Sequence, residues 1–311
     1  MFLNTGLIDR YTSLWGAIPL THKGKLLTTP YLDLSNSVIS YERKAQYAKP
    51  KIIFAKMAAR IEAFLDGTGE YASANTNFVY DSKYNLLYIL AVLNSKLMLA
   101  LYAAYFGALR MSGGYFQFQA PQLRVLPVRR IDFTTPPSER KQLTQQGARL
   151  YEVDLAADDT GRTLKFVEKQ LAAGRTDVIH DLLAFLAERM TALNKDKQTA
   201  AKQFLTDLKD FHGVDPHSLT PKTKLDEFWK LKAEDVFAHL RANAKTLAAQ
   251  NVRLKDTDEE KIRTRLQKAT DKLLPLDTRL TFTDSLIDQI VYRLYGLSSE
   301  EIEIVQGSPE K

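Results

Sequence analysis

The 311-residue chain has no cysteine. Disulfides, thiol catalysis and zinc–thiolate sites are therefore excluded. It also has no uninterrupted apolar run of the roughly 20 residues needed to span a bilayer. The longest, "LLYILAVLNSKLMLALYAAYFGAL" (Leu86–Leu109), is broken by Asn94, Ser95 and Lys96. The opening residues, "MFLNTGLIDRYTS", carry no basic stretch ahead of an apolar core, so no signal peptide is expected. These absences predict a soluble, cytoplasmic protein with no membrane partner. The 14 glycines are scattered and form no phosphate-cradling loop. The five histidines, His22, His180, His212, His217 and His239, have no metal-ligand spacing. His212 and His217 flank a helix end and read as solvated loop residues. No Ser/His/Asp order suggests nucleophilic catalysis.

Basic charge is present, and it is unevenly spread. The formal net charge is +6. Residues 1–135 hold 15 Lys and Arg against 8 Asp and Glu, a net of +7, while residues 136–311 hold 28 against 29, a net of −1. The first segment also holds 20 of the 31 aromatics. A basic, aromatic-rich half joined to a neutral half fits a nucleic-acid-binding module on a scaffold. A basic globular domain with a large core would have the same composition.

The two segments differ in texture. Residues 1–135 read as mixed α and β. Lys49–Ala58 ("KPKIIFAKMA") and Glu70–Tyr80 ("EYASANTNFVY") have the β-branched and aromatic content of strands. Gln122–Val128 ("QLRVLPV") alternates like a third strand, with Pro127 near its end or on an edge. Leu86–Phe106 is predicted to be one buried helix.

Residues 138–311 read as almost wholly helical. Ile179, Leu183, Leu186, Met190 and Leu193 step by four and three, and the stripe resumes at Ala200, Phe204 and Leu208. This is a coiled-coil-like seam predicting one helix over Asp177–Phe211, ended by Gly213 and Pro216. Further arms are expected over Lys224–Leu247 and Thr257–Leu274, the latter stopped by Pro275. A last helix, Asp284–Tyr295, should close at Gly296, with Ser298 and Glu301 as a capping box for one more turn. The predicted fold class is α+β. A mixed α/β domain (1–135) is followed by a long helical, coiled-coil-like domain (136–311).

Two fragments resemble catalytic motifs in passing. Thr29-Pro30-Tyr31 has threonine where an adenine methyltransferase has the first proline of Pro-Pro-Tyr, and reads as a turn with an aromatic anchor. Asp66, Asp81 and Lys83 have the loose spacing of a metal-dependent nuclease, a spacing that also arises by chance.

The stretch "MSGGYFQFQAPQLRVLPVRR" (Met111–Arg130) carries the strongest binding signal. Gly113 and Gly114 allow a sharp turn or a close approach. Gln117 and Gln119, two apart, share a strand face. Glutamine can pair bidentately with adenine and arginine with guanine. Tyr115 can stack on an exposed base. Arg110, Arg124, Arg129 and Arg130 can meet phosphate or guanine. Lys56 and Arg60, at the end of the earlier strand, extend this basic surface if the strands pair. The structural alternatives are that Phe116 and Phe118 are core, and that Arg129 and Arg130 solvate a strand end. No catalytic, cofactor-binding or metal-binding residue is predicted on this chain.

Five segments carry a family resemblance: "FLNTGLIDRYTSLWG" (Phe2–Gly16), "PKIIFAKMA" (Pro50–Ala58), "YILAVLNSKL" (Tyr88–Leu97), "GGYFQFQAPQLRVLPV" (Gly113–Val128) and "TDSLIDQIVYRLYGLSSEEIEIVQG" (Thr283–Gly307). They resemble the C-terminal half of bacterial N6-adenine DNA methyltransferases, the single-chain restriction–modification enzymes with a TaqI-like C-terminal specificity domain. The resemblance implies a target-recognition module that binds double-stranded DNA and works with a methyltransferase core. That core, with its S-adenosylmethionine and Pro-Pro-Tyr motifs, lies upstream of this segment in such enzymes and is absent from the chain. The chain is then expected to be either a detached specificity subunit or a fragment of a longer enzyme. A helical-arm module that binds another protein, with no DNA role, is the competing expectation.

Overall fold

In the computed structural model, residues 1–22, 24–35, 37–111 and 113–307 are described. The "KIIFA" run forms the central strand of the N-terminal region, Lys51–Ala55, with every residue buried. Thr76–Val79 and Ala63–Asp66 flank it, both antiparallel; Thr76 faces Ala55 and Phe64 faces Ile53. A strand covered on both faces tolerates a continuous apolar run, which explains Ile52, Ile53 and Phe54 in succession. The chain continues from it into Met57–Ala58, which pairs antiparallel with Phe116–Gln117. Phe2–Leu3 pairs parallel with Ala72–Ser73.

The apolar run over Leu86–Phe106 is two helices, Leu86–Leu93 and Lys96–Phe106, bent by 61° at the break. The polar pair Asn94-Ser95 makes the break. Ser95 caps the second helix through its hydroxyl, and Asn94 donates Nδ2–H to the Ala63 carbonyl at 3.0 Å. Most of both helices is buried, and among the described residues no single helix is long and apolar enough to cross a membrane.

Gln122–Val128 is not a strand. Pro121 opens a single helical turn, Ala120–Leu123, and the chain then runs irregularly to Thr135. A proline in the first turn costs no hydrogen bond, so the turn forms where the alternation suggested a ladder.

From Pro137 on the chain is helical in texture, as the sequence predicts. Helices span Pro137–Ala157, Gly161–Ala172 and Thr176–His212. The last has 37 residues, about 55 Å at 1.5 Å per residue. Gly213, at φ 69°, ends it. Lys224–Leu247 is not one arm. It breaks into short 3₁₀ turns and the helices Ala233–Ala242 and Ala244–Ala249. Pro275 does not stop a helix either, because Asp256–Tyr295 is continuous with Pro275 inside. The missing N–H leaves one carbonyl unbonded, but Ile262, Leu266, Leu273, Leu280, Leu286 and Ile290 are buried along both sides of it. Burial over forty residues outweighs one lost bond. The capping box is present: Ser298 N–H donates to Glu301 Oε2 at 2.8 Å, and Glu301 N–H donates to Ser298 Oγ at 3.3 Å.

The contacts divide the chain into two compact units, Met1–Ala192 with Phe282–Lys311, and Leu193–Thr281. The 135/136 boundary is one of composition and element type, and the compact units divide elsewhere. Residues 193–281 carry 18 basic and 14 acidic residues, net +4, which leaves +2 for the other unit. The acidic segments 136–192 and 282–311 fold with the basic first 135 residues and offset most of their excess.

Residues 193–281 have a core of their own, including Phe204, Leu208, Phe228, Trp229, Phe237, Leu240 and Ile262. Phe204 and Phe228 stack with centroids 4.2 Å apart. His212 belongs to this interior rather than to solvent. Its side chain is 2% exposed, because the helix ends with the ring turned inward. Burial lowers its pKa, with Asp258 opposing.

Candidate nucleic-acid interface

The Met111–Phe118 hairpin is built from its two glycines. Gly113 and Gly114 have φ of 87° and 83°, left-handed values that suit residues without Cβ. Met111 N–H donates to the Tyr115 carbonyl at 2.8 Å, and Gly114 N–H to the Met111 carbonyl at 3.1 Å. Phe116 and Phe118 are core residues, each 1% exposed, and their rings lie 5.5 and 4.6 Å from that of Tyr102.

Tyr102 anchors the return of the hairpin. Its hydroxyl is 2.6 Å from the Gln117 carbonyl and 2.5 Å from Gln122 Oε1. Burial pushes its pKa up to about 12, so it stays a donor. Asn77 donates Nδ2–H to the Phe118 carbonyl at 2.5 Å, and Gln122 Oε1 accepts the Gln119 N–H at 3.2 Å. Sequence reasoning missed Tyr102, Gln122 and Asn77. Their role depends on contacts from other elements, and only the run of amides over 75–77 and 117–122 hinted at it.

The pairing needed for Lys56 exists. Phe118 N–H donates to the Lys56 carbonyl at 2.8 Å, next to the Met57–Gln117 pair. Lys56 is partly buried. Gln117 and Gln119 do meet, although Gln119 begins the helical turn rather than continuing a strand: Gln119 Nε2 donates to Gln117 Oε1 at 3.1 Å. Tyr115 is 49% exposed at the hairpin. Lys56, Tyr115, Gln117 and Gln119 therefore share one local structure, and Arg124 follows at the exposed end of the helical turn.

The other candidates are placed differently. The Arg110 guanidinium lies 4.4 Å from the Phe116 ring centre, a cation–π contact within its own hairpin. Arg129 is held by its backbone: its N–H donates to the Tyr295 hydroxyl at 2.8 Å and its carbonyl accepts the Tyr88 hydroxyl at 3.0 Å, with the side chain exposed. Arg130 faces Asp132 at 3.6 Å in an exposed pair. Arg60 sits in the surroundings of Glu62. Burial raises the Glu62 pKa to about 7, Asp9 adds to the rise, and Arg60 and Arg10 oppose it.

Arg10 makes a clasp that the sequence did not announce. It donates Nη1–H and Nη2–H to the two oxygens of Asp284 at 2.7 and 2.5 Å, and Nη2–H to the Asn94 carbonyl at 2.6 Å. Asp288 Oδ1 accepts the Lys96 N–H at 2.8 Å. Burial, with Asp284 adding, raises the Asp288 pKa to about 7. These bonds tie the Asp284–Tyr295 segment to the bend at Asn94-Ser95.

The nuclease spacing has a structural explanation. Asp66 is 2% exposed and its Oδ2 lies 2.5 Å from Lys51 Nζ. It also accepts N–H bonds from Gly69, Glu70 and Tyr71. Such a carboxylate has no lone pair left for a metal. Asp81 pairs with Lys49. Among the described residues no three His, Asp or Glu side chains group as metal ligands. In Thr29-Pro30-Tyr31, the Pro30 carbonyl accepts N–H bonds from Phe2 and Trp15, and Tyr31 packs edge-on against Trp15. Tyr31 is 71% exposed, so it lies on the surface against Trp15 and does not anchor the segment in the core.

Residues 8–128 match the family described as the TaqI-like C-terminal specificity domain. Residues 176–291 match a domain of unknown function, DUF8810. No curated protein and no solved structure matches the chain. The first match spans both strands of the hairpin pairing and supports a TaqI-like recognition domain over residues 8–128.

Proposed function

We propose that the chain reads the sequence of duplex DNA through the face carrying Lys56, Gln117, Gln119 and Arg124, and presents a target adenine to a methyltransferase core. One observation supports the reading: the specificity-domain match covers the hairpin where Gln117 and Gln119 meet and the neighbouring segments that carry Lys56 and Arg124. Each side chain has a task that its chemistry allows. Glutamine amides match the donor and acceptor of adenine in the major groove, and arginine matches guanine. Lys56, Arg129 and Arg130 would neutralise phosphates and set the register. Tyr115 would stack on a base leaving the duplex. Removing an adenine from the stack costs a few kcal/mol, which phosphate contacts help to offset. S-adenosylmethionine and the methyl transfer belong, in this reading, to the core.

Anisotropy of a labelled duplex with the full chain tests it. Binding is expected to weaken with salt, at a slope of about −0.9 per phosphate neutralised in the log–log plot. Lys56→Ala should lower affinity for all sequences alike. Absence of salt-dependent binding would favour the competing protein-interaction reading.

A further inference from the structure

The turn between Ala72–Ser73 and Thr76–Val79 carries one more exposed amide close to Lys56 in the register. Asn75 is exposed at its tip. In the pairing of the flanking strands, Thr76 lies opposite Ala55, so Asn75 falls one place further on, alongside Lys56. There the ladder is opened by a side chain. The Thr5 hydroxyl donates to the Asn75 carbonyl at 2.8 Å and accepts the Lys56 N–H at 3.0 Å. On its other edge Lys56 accepts the Phe118 N–H through its carbonyl. Asn77, two residues after Asn75, bonds the Phe118 carbonyl. The backbone of Lys56 therefore lies between the Asn75 turn and the Gln117–Gln119 segment.

The backbone of Asn75 is already satisfied by Thr5. Its φ is 56°, the left-handed region. Asparagine is among the few residues that adopt it readily, so the conformation alone could explain the residue. What conformation does not require is an exposed amide beside Lys56. No hydrogen bond to the Asn75 side chain exists within the described residues.

We propose that Asn75 is a sequence-reading residue that contacts an adenine edge, with Nδ2–H donating to N7 and Oδ1 accepting from the N6 amino group. The proposal rests on the reading of this face as a DNA interface. It adds a base pair read by the N-terminal turn to those read by the hairpin. Thr5 acts as the positioning residue, because its hydroxyl fixes the turn against Lys56.

Selection from randomised duplexes by the full chain at low salt tests it, with wild type, Asn75→Gly and Asn75→Asp compared. Glycine keeps the left-handed conformation and removes the amide, and aspartate keeps the shape and removes the donor. Both should melt like wild type. Both should lose discrimination at a single A·T position, by about 5- to 150-fold, with preferences elsewhere retained. If wild type selects a sequence and Asn75→Gly selects the same one, Asn75 serves the turn alone and the proposal is overturned. A uniform loss at all positions overturns it too, by making the residue a backbone contact. If wild type selects nothing, the DNA reading of the whole face fails, and the proposal fails with it.

Discussion

The two compact units differ in what they bury. The unit of residues 1–192 and 282–311 holds charge in its interior: Lys51, Asp66, Asp154, Asp177 and Asp288 are all buried there. In residues 193–281 the buried polar side chains are those of His212, His239 and Asn243, and the ion pairs run from the part-buried Lys197–Asp277 to the exposed Arg241–Glu259. Three of the interior carboxylates, Asp66, Asp154 and Asp177, have several donors, whereas Asp288 has the Lys96 N–H. Asp154 accepts from Arg162 and the Thr163 N–H, and Asp177 from the Thr135 N–H and hydroxyl. A fully bonded buried charge adds little net stability, but it penalises every arrangement that leaves it unpaired. The first unit is thus held to one arrangement by polar bonds between distant segments, whereas the second depends on apolar burial. A surface that reads bases needs its side chains placed to a fraction of an ångström, and the residues proposed for that task belong to the first unit.

The largest expected effect breaks that comparison from the polar side. Asp66→Ala strands a buried Lys51 and three N–H groups, and should cost about 3–5 kcal/mol in denaturant unfolding. Replacing both partners by apolar residues should cost much less. A loss below 1 kcal/mol for Asp66→Ala would show that the interior charge is unimportant. On the apolar side, Leu240→Ala should cost about 2–5 kcal/mol, with segment-resolved hydrogen exchange showing lost protection within residues 193–281.

Protonation sharpens the comparison by sign. Glu62 and Asp288 have pKa values raised by burial to about 7, from ordinary values of 4.5 and 3.8. A raised carboxyl pKa contributes stability in full below the unfolded value and loses it as pH rises through the folded value. The first unit should weaken between about pH 5 and pH 8 on their account. Glu62→Gln with Asp288→Asn should flatten that slope. His212 and His239 lie below their ordinary 6.5, chiefly through burial, so their contribution is present above pH 6.5 and is lost on acidification. Hydrogen exchange corrected for its intrinsic pH dependence should show opposite slopes in the two units. Parallel slopes would mean that these groups do not govern either one.

Smaller effects belong to the surface. Arg241→Ala, which breaks an exposed pair with Glu259 at 3.2 Å, should change stability by less than about 1 kcal/mol. Arg124→Ala should shift stability by no more than about 0.5 kcal/mol, yet flatten the preference at one base position in duplex selection. A large fall in its melting temperature would make Arg124 a structural residue.

Strong local signals were legible in the sequence. The β-branched Lys51–Ala55 run, the four-and-three stripe of Thr176–His212, the Ser298–Glu301 capping box and the glycine-made turn at 113–114 all appear where the pattern placed them. Each is decided within a few residues, by side-chain period, cap chemistry or allowed φ. Local signals misled where they competed with burial. Pro275 reads as a stop, but a long buried stripe carries the helix through it, and Gln122–Val128 alternates like a strand but meets no partner. At the candidate interface, residue types were legible: the amides, the arginines and Lys56. Their grouping was not. The Lys56–Phe118 bond, the Thr5 bridge to Asn75 and the Arg10–Asp284 clasp join residues 62, 70 and 274 positions apart. The sequence by itself determined which elements form and which chemistry is available. Only the tertiary structure decided which amides share a surface and which charges are consumed inside. That choice is made by pairing between distant segments, where each buried donor must find an acceptor, and no local pattern records it.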